Sequence, residues 1–89
     1  MALDKLSPQE STPRTLAEAH ELLAGIRPRQ KAPLEEWLAY YQRSTAVYAE
    51  VAEIDRGHHH EALFMAERER QLLNEIKAQI SSQQPVGEV

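Results

Sequence analysis

Imidazole and carboxylate side chains crowd one short stretch, Asp55-Arg56-Gly57-His58-His59-His60-Glu61, which holds three of the chain's four histidines. Together these groups ligate zinc, iron, copper or nickel. On a helix, Asp55 with His58, His58 with Glu61, and Asp55 with His59 are spaced three or four residues apart, so each pair shares a face. Asp55-x-x-His58 also has the carboxylate-x-x-His spacing of di-iron helical bundles, where further carboxylates come from other helices. Glu50 or Glu53 of a symmetry-related copy could supply them. The candidate metal set is therefore Asp55, His58, His59, His60 and Glu61, holding a transition metal ion. The competing reading needs no cofactor: Asp55 caps a following helix by accepting from the amides of Gly57 or His58, and the histidines are polar corner residues.

A second constellation is aromatic. Trp37, Tyr41 and Tyr48 recur at helical spacing and form one face, which serves either as core or as a contact surface, with Leu73 from a later element. These four residues are the candidate interaction surface. Tyr40 and Phe64 fall off the main apolar stripes. Arg27, Arg29 and Lys31 make the only basic cluster, in a linker that could meet an acidic partner or a phosphate.

Beyond these, little carries chemistry. The chain has no cysteine, which removes disulfides and thiolate zinc sites. No glycine-rich loop could cradle a nucleotide phosphate, and no strand-turn-helix setting exists for a nucleophilic serine. The pattern reads as a protein that is not an enzyme. A net charge of −4 with scattered basic residues argues against nucleic acid. No apolar run approaches the roughly 20 residues of a membrane span, and no secretory signal is visible, so a cytoplasmic location is expected.

The elements that position these groups are helical. Residues 1–14 contain two prolines and few apolar side chains, and read as a disordered arm. Thr15-x-x-Glu18 has capping-box spacing and starts a short helix, about 15–25, with Leu16, Ala19, Leu23 and Ile26 on one face and Gly25 suited to its end. Pro33 fits the first position of a second helix, about 33–55, and Glu35 and Glu36 favour its positive end. A third helix covers about 58–80, with Glu67-Arg68-Glu69-Arg70 as a solvated face, and residues 82–89 read as a disordered tail. The helical domain is thus 15–81. The apolar stripes on either side of Gly57 stay in phase, so one continuous helix in a coiled coil is possible. An antiparallel hairpin buries more apolar surface within one chain and is the favoured all-α architecture.

Several of these residues resemble a group of short, all-helical actinomycete proteins of unknown function. They are Arg27-Pro28, Ala32-Pro33-Leu34-x-Glu36-Trp37, Val47-Tyr48-Ala49-x-Val51-Ala52-x-Ile54-Asp55 and His58-x-His60-Glu61-Ala62. The Asp-x-x-His-x-His-Glu-Ala signature is the most specific part. The resemblance implies a helical fold and a cytoplasmic bacterial origin, and carries no catalytic residue across. A chain this short rarely builds a core worth more than about 3–5 kcal/mol, and small scaffolds are usually stapled by a metal or a partner. The expected function is therefore protein–protein contact, as a homodimer or with an unknown protein partner. The alternative is a metal-binding helical bundle using the Asp55/His58/Glu61 corner.

Overall fold

A computed structural model describes residues 13–83. It contains α1 (Leu16–Ile26), α2 (Leu34–Ile54) and α3 (His59–Gln83), with a single 3₁₀ turn (Arg56–His58) between the two long helices. One short helix followed by two long ones is the architecture expected from the sequence. The single continuous helix is not formed, because Asp55 leaves helical angles at φ −93° and ψ 77°. Past the turn, α3 returns along α2. His59 bonds to the carbonyl of Ala52 and, further from the turn, Glu69 bonds to Ser44.

The helix ends follow from local chemistry, with some differences from expectation. Thr15 is the N-cap of α1, its hydroxyl accepting from the amide of Glu18 at 3.1 Å. The Glu18 carboxylate reaches back one residue further than a standard capping box, to the amide of Arg14 at 2.8 Å. Pro13 is buried, so order begins upstream of Thr15, and the rest of the expected arm (residues 1–12) lies outside the described residues. Gly25 does not end α1. The helix runs on to Ile26 and stops because Arg27 precedes Pro28 and is driven to φ −65°, ψ 131°. Pro33 is the N-cap of α2 rather than its first residue. α3 extends to Gln83, so residues 82 and 83, expected in the tail, are helical; residues 84–89 lie outside the described residues.

Neither glycine within these elements uses a left-handed backbone. A Cβ at Gly57 would meet only Asp55 Oδ1, at 4.0 Å, and one at Gly25 would meet nothing within 4 Å. The reversal at residues 55–58 is therefore set by side-chain bonds, not by glycine.

The core is small. Its buried apolar members are Leu16, Ala19, Leu23, Tyr40, Tyr41, Tyr48, Val51, Ala52, Ala62 and Ala66, four of which are alanines. Among the described residues, Leu23 and Val51 are the most fully buried large apolar side chains, each contributing roughly 1.5–3 kcal/mol. Ile26, on the expected apolar face of α1, is 43% exposed, as is Leu63 on α3. Tyr40, expected off the stripe, is buried beside Trp37 and Tyr41.

Candidate functional site

The histidine corner is a structural joint. Asp55 was expected to cap α3, but its side chain makes no bond to that helix's start. Its Oδ2 instead accepts from the amide of Leu16, at 2.9 Å, and from His58 Nδ1, also at 2.9 Å. Asp55 thus satisfies one of the free amides at the start of α1, 39 residues away. The Leu16 amide is the main reason that the Asp55 carboxyl is held below its usual range, with His58 adding to it and burial opposing it. This contribution to stability is present above the ordinary carboxylate pKa of 3.8 and is lost as pH falls below it.

His59 Nδ1 lies 2.7 Å from the carbonyl of Ala52, at the end of α2. A carbonyl only accepts, so Nδ1 carries the proton, and the Arg56 guanidinium 3.3 Å from the same nitrogen is a contact rather than a hydrogen bond. His60 is exposed and its ring stands edge-on to that of His59. Glu61 is exposed on the first turn of α3. The geometry brings Asp55, His58 and His59 to one corner, yet Asp55 and both Nδ1 atoms are committed to bonds within the chain. Among the described residues, no three His, Asp or Glu side chains converge as a group that could hold a metal. Of the five residues expected from spacing, the 3₁₀ turn keeps Asp55 and His58 paired, whereas His60 and Glu61 are exposed on the first turn of α3.

Of the aromatic set, Tyr41 and Tyr48 are core, while Trp37 and Leu73 are half-buried. Burial raises the Tyr48 phenol to about 12, with the Glu69 carboxyl and Tyr40 adding to it. Burial likewise raises Tyr41. The Tyr48 phenol therefore keeps its proton, and its oxygen lies 2.8 Å from His20 Nδ1 on α1. Sequence reasoning gave His20 no role. Only its position opposite Tyr48 across two helices reveals one, and no local spacing encodes that.

Glu69 was expected in a solvated face and is instead 8% exposed. It accepts from Ser44, itself fully buried, at 2.6 Å. The residues around it keep the expected character, since Glu67 and Arg70 pair with each other in solvent. Glu69 points inward because it lies one turn from Ala66 and two turns from Ala62 on the same helical stripe.

At the opposite end from the corner, Trp37 organises the α1–α2 connection. Its indole N–H donates to the carbonyl of Arg29 at 3.2 Å, and the same oxygen accepts from the amide of Ala32 at 2.9 Å. The Arg27 guanidinium lies 5.0 Å from the Trp37 ring centre and 5.8 Å from that of Tyr40. Such stacking is worth about 0.5–1 kcal/mol at an exposed site. Two open concavities flank this loop. One, of about 490 Å³, is lined by Arg27, Arg29, Lys31 and Glu36 with Pro28, Ala32 and Pro33. The other, of about 290 Å³, is lined by Ile26, Pro28, Ala39 and Tyr40 with Glu36 and Arg43.

No family model, no curated protein and no solved structure matches this chain, and nothing in those comparisons bears on the resemblance to the actinomycete group. Among the described residues, no helix is long and apolar enough to cross a membrane.

Proposed function

We propose that this chain is a small cytoplasmic helical protein that works through protein–protein contacts as a homodimer. The observation that carries the reading is a mismatch along α3. Its buried residues are Ala62, Ala66 and Glu69, whereas its larger apolar residues Leu72, Leu73, Ile76 and Ile80 are only half-buried. Extending the Ser44–Glu69 register toward the open end sets these beside the start of α2, where Leu34, Trp37 and Leu38 are half-buried too.

α1 runs from the corner only as far as Tyr40, and past it only the 27–33 connection lies against Trp37, so the apolar strip at this end lacks a covering helix. A second copy supplies the same apolar strip in return, which is what a two-fold interface requires. Association then completes a core that the single chain leaves thin.

Native mass spectrometry of the untagged protein at micromolar concentration tests this. A dimer is expected, converted to monomer by L73R/I76R with helical circular dichroism retained. A wild-type monomer overturns the reading. A dimer that forms only with added zinc overturns it in favour of a metal-binding bundle.

A further inference from the structure

We propose that the α1–α2 connection is a binding site for small organic phosphates, with the phosphate on Arg27, Arg29 and Lys31 and the apolar body on the adjoining Ile26–Tyr40 groove. The inference rests on the cationic loop and the Ile26–Tyr40 groove, and it shares only Trp37 with the dimer strip.

Residues 27–33 carry three cations and no acid in a chain whose net charge is −4. Among the described residues, none of the three forms an ion pair; the described pairs join Arg56 to Glu53, His58 to Asp55 and Arg70 to Glu67. A basic linker that merely spans two helices would be loosely held. This one is fixed. The Arg29 carbonyl takes two hydrogen bonds, one from the Trp37 indole and one from the Ala32 amide. Arg27 is laid over Trp37, and Tyr40 beneath it is anchored in the core.

Ordering cationic side chains and loops is a large part of what binding a phosphate costs, and here folding already holds the loop backbone at Arg29 and the Arg27 side chain. Guanidinium groups suit the task because their planar fork matches phosphate oxygens. The three cations line one concavity of about 490 Å³, the size of a small-molecule site.

The adjoining groove decides the class of ligand. It shares Pro28 and Glu36 with the cationic concavity and is otherwise lined by Ile26, Ala39, Tyr40 and Arg43. Ile26 is 43% exposed and lies outside the buried core cluster. An anion with an apolar body spans both surfaces, whereas inorganic phosphate uses only one. A nucleic acid fits less well, since its backbone charge would extend past the loop onto a predominantly acidic protein. Glu36 is the one carboxylate that lines both concavities, and it opposes the bound anion.

Trp37 is the only tryptophan, so its fluorescence reports on this end of the molecule, and a fixed protein concentration keeps the contribution of the dimer strip constant. Wild-type protein is titrated at constant ionic strength with inorganic phosphate, phenyl phosphate and sodium chloride. The expected result is a saturable change with both phosphates, phenyl phosphate binding more tightly, and none with chloride. R29E/K31E should abolish it with circular dichroism unchanged, and E36Q should tighten it. The Trp37 indole N–H resonance is followed in parallel, so that binding silent in fluorescence is still seen. The proposal is overturned by an indole resonance that phosphates leave unmoved, by equal binding to R29E/K31E, or by a response that chloride reproduces. Equal affinity for the two phosphates overturns the apolar half of the site.

Discussion

Ser44→Ala should be among the most damaging small substitutions in this chain. The serine hydroxyl has one proton, and its 2.6 Å approach to Glu69 Oε1 is shorter than its 3.3 Å approach to the carbonyl of Tyr41, so the carboxylate receives it. Ser44 is fully buried and Glu69 is 8% exposed, and Glu69 has no ion-pair partner among the described residues. Removing the hydroxyl leaves a buried carboxylate oxygen without its donor. A hydrogen bond to a charged group contributes about 1.5–3 kcal/mol, so S44A should cost about 2 kcal/mol. For a domain of this size, 1 kcal/mol corresponds to roughly 4–8 °C in Tm. The double substitution S44A/E69M replaces both polar partners with apolar groups, and should return stability to within about 1 kcal/mol of the wild type. Urea unfolding followed by circular dichroism at fixed protein concentration measures all four members of the cycle. The reasoning is refuted if S44A is neutral, or if the double variant loses the sum of the two single losses. An independent readout is available, because the Glu69 charge helps to raise the Tyr48 phenol. E69M should let that phenol ionise at lower pH.

Two further outcomes are expected. Tyr48 is raised from 10.0 to about 12, so the folded chain holds the phenolic proton where the unfolded chain has lost it; this stabilisation is complete below pH 10 and disappears as pH rises toward 12. Absorbance at 295 nm should show one tyrosine ionising near 12 together with unfolding, and Y48F should weaken the alkaline sensitivity; an unfolding midpoint independent of pH between 10 and 12 would contradict this. G25A should stabilise the protein by about 0.5–1 kcal/mol, because Gly25 lies inside α1 with open space at its Cβ position. G57A should be tolerated as well, and a large loss of stability in either variant would show that a glycine-specific backbone is needed there.

What the sequence determined by itself is local. The short helix and the two long ones could be read from apolar periodicity, from Thr15 and Glu18 at one start, and from Pro33 with two following glutamates at another. Pro28 ends α1 because proline constrains the residue before it, an effect that needs no tertiary partner. Tertiary structure decided the rest. Periodicity left open whether the chain bends beside Gly57, and the turn there is held by Asp55 bonding to Leu16 and His59 bonding to Ala52. Asp55 looked like a cap for the helix next to it and caps one 39 residues away. Glu69 looked solvated because its neighbours in sequence are charged, and it is buried because Ser44 stands opposite. In each case periodicity tells which face a residue occupies, but not which group comes to lie across from it. That pairing is fixed only when the whole chain has chosen how to pack its few apolar side chains.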